Sequence, residues 1–302
     1  MKRPSIPAWA LFMLPGFCLY TLFMIVPLFT AVGYSFFDWS GVGPKVFSGL
    51  KNYRNLFTDP RLSAFFWNAL GNNFRFVFVA LFIVIPIQLG LAYLFDIKIK
   101  GYRFFQTVIF LPYVVSTTII GFLSIMVFDP NLGLLNELFE FVGKEVWKSS
   151  WFGDTKRAFG ILSMVICWQG IAAGMLIFAA NLKEIPREVL EAALIDGAGG
   201  FRRFFGIILP YLVPSITNNI VLGTIWGLTI FDIPYIVGGP QGGVNNSMDF
   251  MNLFFYRFAF GGSYYGETSM GFGAAISVVL FVIILAVALV QLAFLRKLER
   301  KY

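Results

Sequence analysis

Residues Thr268–Leu295, TSMGFGAAISVVLFVIILAVALVQLAFL, contain no Asp, Glu, Lys or Arg. At 1.5 Å of rise per residue such a run crosses a hydrocarbon core about 30 Å thick as a single helix. Five more charge-free runs occur, at Pro4–Phe37, Phe76–Phe95, Gln106–Phe128, Ala158–Leu182 and Phe204–Phe231. Of the 302 residues, 58% are hydrophobic and 13% charged, and the mean hydropathy is +0.77. A soluble domain carries about a quarter charged residues, so half that share argues against a surface made for water. The expected fold is therefore all-α and integral to a membrane. It has about six spans, at approximately 8–33, 74–95, 106–128, 158–182, 211–234 and 270–295, forming one transmembrane domain over 1–302.

The first run follows Met1-Lys2-Arg3 and so also resembles a secretory signal. It is about twice the length of a signal h-region and no clear Ala-x-Ala follows, so it reads as an uncleaved helix with Pro15 and Pro27 as kink points. Basic residues give an orientation. With both termini in the cytoplasm, the inside segments carry Lys2, Arg3, Lys98, Lys100, Arg103, Lys183, Arg187, Arg202, Arg203, Arg296, Lys297, Arg300 and Lys301, out of 23 Lys and Arg in all. These segments are short, so their basic density is high, and the +7 net charge needs no nucleic-acid partner. Long outside segments, at about 37–75, 129–157 and 232–267, are rich in Gly, Asn, Asp and aromatics and read as loops.

Cys18 and Cys167 fall inside spans and read as small buried hydrophobes. The chain has no histidine and two cysteines, which excludes a His-based catalytic triad and a His-ligated or Cys-cluster metal site. No catalytic residues and no cofactor are expected in this chain.

One inside segment, 183–210, is too long and too charged to be a bare turn. After Pro186, the residues Val189, Leu190, Ala193, Leu194 and Gly197 fall at helical spacing, with Glu184, Arg187, Glu188 and Glu191 on another face. Gly197-Ala198-Gly199-Gly200 should stop that helix. An interfacial helix would carry Lys and Arg opposite bulky residues. This one is acidic, with a small apolar face, which suits a protein groove.

Glu191-Ala192-Ala193, Gly197 four residues after Ala193, and Ile207-x-Leu209-Pro210 resemble the EAA loop of the permease subunits of bacterial binding-protein-dependent ATP-binding-cassette importers. Here it reads EAALIDGAGGFRRFFGIILP, with the Asp196-Gly197-Ala198 of the sugar branch, maltose and oligosaccharide type. Further similar stretches follow in order. They are Gly49-Leu50-Lys51-Asn52-Tyr53, Arg103-Phe104-Phe105 with Phe110-Leu111-Pro112, Phe128-Asp129-Pro130-Asn131-Leu132-Gly133, and Phe231-Asp232 with Gly238-Gly239-Pro240. The resemblance implies a type I ABC importer permease fold in the bacterial inner membrane, with a cytoplasmic coupling helix docked on an ATPase. Glu191 would make a charged contact, Gly197 the bend, and Leu190, Ala192, Ala193, Leu194 and Asp196 the remainder of the docking element. It also implies partners: a second homologous permease, two ATPases that bind ATP and Mg, and an extracytoplasmic binding protein. The chain supplies no nucleotide loop, because its one Gly-Lys, Gly143-Lys144, precedes Glu145.

A polar solute needs hydrogen-bonding groups within the bilayer, and sugars also stack on aromatic faces. The fourth and fifth runs offer Trp168, Gln169, Gly170 and Ala173, then Asn219, Trp226, Thr229 and, near the outer end, Asp232. In the resembling family these helices line the central cavity, so these residues are the candidate solute contacts. With no Arg or Lys embedded there, a neutral oligosaccharide ranks ahead of glycerol phosphate. The competing readings are an ion-driven secondary transporter and a membrane-bound enzyme. Neither has the repeats, embedded carboxylates or catalytic clusters it would need.

Overall fold

The computed structural model describes residues 8–261 and 268–299. The terminal basic residues Lys2, Arg3, Arg300 and Lys301, and Glu267 at the end of the last outside segment, lie outside the described residues. The architecture is all-α apart from one two-stranded hairpin. Among the described residues, five helices are long and apolar enough to cross a membrane: α1 (Leu11–Tyr34), α3 (Pro60–Asp96), α7 (Thr155–Leu182), the Val213–Gly238 segment and the last helix over Met270–Leu295. A sixth crossing arises if the bent pair α4 (Tyr102–Val114) and α5 (Thr117–Val127) counts as one span.

Three features of the helices go beyond the sequence expectation. The span expected over 106–128 is not one helix, because α4 and α5 meet at 101°. Val115 and Ser116 are extended there (ψ 140° and 142°), and Ser116 caps α5 by accepting from the Ile119 N–H. The helix that carries the second crossing starts at Pro60, ahead of the span expected from about 74. The expected outside segment 37–75 is thus helical over α2 (Lys51–Thr58) and the start of α3. At 37 residues, α3 is about 55 Å long and reaches well beyond a hydrocarbon core. The fifth crossing opens at 229–231 between α10 (Val213–Leu228) and α11 (Asp232–Gly238).

Prolines leave a repeated local signature. A proline ring collides with the carbonyl four residues earlier and brings no N–H of its own. Pro27, Pro86 and Pro210 are each preceded by a five-residue π turn, at Thr21–Ile25, Ala80–Val84 and Phe204–Ile208. In each, an i→i−5 bond closes the widened turn: Val26 to Thr21, Ile85 to Ala80 and Leu209 to Phe204. The extra residue makes room for the ring, so the rods continue. Pro15, by contrast, sits inside a regular helical segment.

The described chain divides into two compact units, one formed by the stretch ending at Ser63 with Phe255–Phe281, the other by Ala64–Phe254 with the stretch from Val282 onward. In the first unit, α1 leads into β1 (Phe37–Asp38), which pairs antiparallel with β2 (Val46–Phe47). Asn52 explains the Gly49-Leu50-Lys51-Asn52-Tyr53 stretch. Its buried amide donates to the Ser35 and Phe37 carbonyls, each at 2.9 Å, and Tyr53 donates to Ser35 Oγ at 2.6 Å. The apolar window of α1 is 0% buried within the chain, as suits a helix facing lipid or another subunit.

The second unit has two apolar cores at different levels of α3 and α7. One gathers Phe76, Leu162, Ile166, Ile230 and Phe250, the other Leu89, Phe95, Met175, Phe178 and Leu212. In the N-terminal half of α3, Asn72 donates to the Asp249 carbonyl (2.9 Å), and Asn73 bridges the Gly227 carbonyl and the Met251 N–H, each at 2.8 Å. After α5, the Asp129 carboxylate accepts from the N–H groups of Asn131 and Leu132. Those two bonds hold its pKa below the ordinary carboxylate value. Asn136, in α6 (Leu134–Phe141), ties the same loop by donating to Pro130 and Ser149 and accepting from Trp151 Nε1.

Replacing Asn52 leaves two carbonyls without their donor. We expect Asn52→Ala to lower the stability of the detergent-solubilised protein by about 1–3 kcal/mol, seen as a lower thermal midpoint, and an unchanged midpoint would contradict the tie.

Candidate functional site: a polar cavity and a helical hairpin

Between the two cores of the second unit lies a cavity of about 600 Å3. The level of α3 around its π turn supplies Val84, Ile85 and Gln88, and α7 supplies Gln169, Gly170, Ala173 and Gly174. The bend of α4 and α5 supplies Tyr113 to Thr117, and α10 supplies Asn219 and Trp226. Its polar groups are amides, hydroxyls and an indole, and none of its lining side chains is charged. Glycines on α7 let the facing side chains approach its backbone closely. A methyl on Gly170 would lie 2.8 Å from the Trp226 ring, and one on Gly174 would overlap the Gln88 carboxamide. Gln88 donates to the Gly170 carbonyl at 3.3 Å. Gln169 donates to the Val115 carbonyl and to Thr117 Oγ1, each at 3.3 Å. Asn219 is buried and donates to Ser215 O one turn back.

Of the residues expected to meet a solute, the structure brings together Gln169, Gly170, Ala173, Asn219 and Trp226 around this cavity. It places three elsewhere. Trp168 is half exposed on another face of α7, in an apolar groove with Ile83, Ile87 and Phe159. Thr229 closes α10, its hydroxyl donating to Ile225 O, and is exposed. Asp232 is exposed in the first turn of α11. The sequence reading missed Gln88, Tyr113, Ser116 and Thr117. Gln88 is the only amide in the charge-free run Phe76–Phe95, a signal that could have found it.

The hairpin over 183–210 has the expected order. Pro186 is the N-cap of α8 (Arg187–Ile195). The helix ends with the Gly197 N–H bonded to Leu194 O and the Ala198 N–H bonded to Ala193 O, the two bonds of a Schellman ending. Gly197 holds φ +73° with open space around it, so backbone conformation and not crowding calls for glycine. A short turn, α9 (Gly200–Arg203), and the π turn before Pro210 then lead towards α10.

The faces of α8 differ from the expectation in one respect. Ala193 is buried and Leu190 packs on the core around Phe178, Leu182, Ile185 and Ile208, so both are turned into this chain. What faces out is Glu191, Ala192, Leu194, Ile195 and Asp196. Ile195 is 87% exposed and Phe201 81% exposed. Among the described residues, no group of three or more His, Cys, Asp or Glu is placed to hold a metal ion.

The sequence matches the family described as "Binding-protein-dependent transport system inner membrane component" over residues 85–300. It is 34% identical over 289 residues to a probable ABC transporter permease protein, YurN, of Bacillus subtilis, covering 95% of each chain. It is 33% identical to the multiple sugar-binding transport system permease protein MsmF of Streptococcus mutans, covering 96% of each. Identity is 30% to the sn-glycerol-3-phosphate transport system permease protein UgpA of Pectobacterium atrosepticum, over 94% of this chain and 92% of that one. Among solved structures, a chain of a bacterial ABC transporter involved in the import of the acidic polysaccharide alginate has a TM-score of 0.79 at 20% identity, over 96% of both chains, a likeness of fold. The chain therefore belongs to the binding-protein-dependent transport system inner membrane components, as the multi-pass, non-catalytic permease of an ABC import system whose ATPase partner hydrolyses the ATP.

Proposed function

We propose that this permease imports a neutral, hydroxyl-rich solute, a sugar of oligosaccharide type, which an extracytoplasmic binding protein delivers. The observation that carries this reading is the cavity between the cores: amides, hydroxyls and the Trp226 indole line it, without a charge. Sugar hydroxyls need donors and acceptors away from water, and a pyranose face stacks on an indole. An anionic solute would want a fixed cation, which this lining lacks. The relatives named for sugars support the class, and the one named for glycerol phosphate supplies the alternative to test against.

The coupling element in this reading is α8. Its inner side, Leu190 and Ala193, anchors it to the second core, and its outer side, Glu191, Ala192, Leu194, Ile195 and Asp196, is free to dock on the ATPase. Closure of an ATPase pair would push α8, and the core it rests on would carry the movement to α3, α7 and α10. A second, homologous permease would complete the solute path, and both termini would lie in the cytoplasm. Transport that survives removal of the ATPase would favour an ion-driven carrier instead.

Two outcomes check these assignments. Glu191→Lys or Gly197→Asp should leave the subunit in the membrane and abolish recovery of the ATPase with it, and co-purification at wild-type yield would refute α8 as the coupling helix. Gly170→Ala should push the Trp226 ring and, at an overpacking cost of about 1–3 kcal/mol, lower maltotriose uptake by proteoliposomes of the complete importer. Uptake of glycerol 3-phosphate in preference to maltotriose would overturn the neutral-sugar reading.

A further inference from the structure

One wall of the cavity is broken, and a single side chain holds the break. At Val115 and Ser116 the backbone is extended, so the helical ladder stops between α4 and α5. Gln169 reaches across from α7 and donates to Val115 O before the break and to Thr117 Oγ1 after it. A backbone carbonyl only accepts, which fixes the amide with its NH2 towards the break. That NH2 has two hydrogens, and both are engaged. Both bonds measure 3.3 Å, longer than the usual separation of about 2.9–3.0 Å, so each is easily exchanged.

All of these groups border the cavity: Val115, Ser116, Thr117 and Gln169 line it together. A solute hydroxyl that accepts from the Gln169 amide must therefore displace Val115 O or Thr117 Oγ1. The released end is not isolated. α5 lies against α11 so closely that a methyl on Gly121 would come within 2.7 Å of the Ile236 side chain. A change in the bend would carry α11 with it, just beyond the opening at 229–231.

We propose that Gln169 is a positioning residue for transport, a latch that pins the α4–α5 bend in the solute-free cavity and is released when a solute hydroxyl takes one of its N–H groups. The proposal rests on the reading of this cavity as the solute path. It differs from a plain solute contact, because it assigns Thr117 an equal part although Thr117 need not touch the solute.

The test uses the complete importer in lipid nanodiscs, with spin labels at Phe105 and Met126, which are exposed on α4 and α5. Gln169→Leu and Thr117→Val should each broaden the label-to-label distance distribution, and Thr117→Ser, which keeps the hydroxyl, should not. ATP hydrolysis without maltotriose should rise about fivefold in Thr117→Val, the population shift for the loss of one neutral hydrogen bond of about 1 kcal/mol, and further in Gln169→Leu, which loses both bonds. A wild-type distance distribution in Gln169→Leu overturns the latch. Broadening with hydrolysis still dependent on maltotriose overturns the release step and leaves Gln169 a structural tie. Failure of the solute-path reading looks different: Gly170→Ala then leaves maltotriose uptake untouched while the labels still respond to Gln169→Leu, and the release step falls with that reading.

Discussion

A backbone carbonyl facing hydrocarbon has no water to bond, so an interruption of a membrane helix is answered by the protein itself or by a water-filled cavity beside it. This constraint shapes the chain more than any single apolar contact. Where Pro27, Pro86 and Pro210 interrupt the ladder, the backbone answers by widening one turn and closing it with an i→i−5 bond. Where α4 and α5 part, the answer comes from a side chain, the Gln169 amide at Val115 O. Two of these four interruptions border the cavity, the Pro86 turn through Ala80 to Ile85 and the α4–α5 break through Val115 to Thr117. The polar groups that a solute would use thus lie beside the groups that repair the helices.

The apolar packing has a complementary part. The two cores of the second unit fix α3, α7 and α10 above and below the cavity, and the small residues Gly170, Ala173 and Gly174 keep the level between them open. The second core also receives Leu190 and Ile185 from the hairpin that holds α8. The surface proposed for the ATPase and the cavity proposed for the solute are therefore linked through one continuous body of packed side chains. This arrangement supplies the physical contact that mechanical coupling requires.

Much of this was legible in the residues alone. Charge-free runs such as Thr268–Leu295 announce spanning helices because the cost of burying a charge in lipid is large. Gly197 announces its turn because few residues other than glycine readily take a positive φ. Gln169, Gly170, Ala173, Asn219 and Trp226 were recognisable as polar, small or aromatic residues within such runs. What was not legible was direction. Trp168 sits beside Gln169 in sequence, yet helical rotation turns it out of the cavity into an apolar groove. The outside stretch before residue 74 reads as a loop by composition, but Asn68, Asn72 and Asn73 are helix residues whose amides bond to main-chain groups of 227–251. The break at Val115-Ser116 carries no glycine; Ser116 caps the helix after it, and the tie across it comes from Gln169, 53 positions beyond Ser116 in the sequence.

The cavity between the two cores is the proposed path of the solute, opened to one side of the membrane at a time. Its most direct test is the labelling of Asn219→Cys in a chain whose Cys18 and Cys167 are replaced, with a membrane-impermeant maleimide applied to one side of proteoliposomes holding the assembled importer. Labelling from the cytoplasmic side without nucleotide, replaced by labelling from the outer side when ATP is trapped with vanadate, is the predicted result. Labelling from the same side in both states, or from neither, would contradict it.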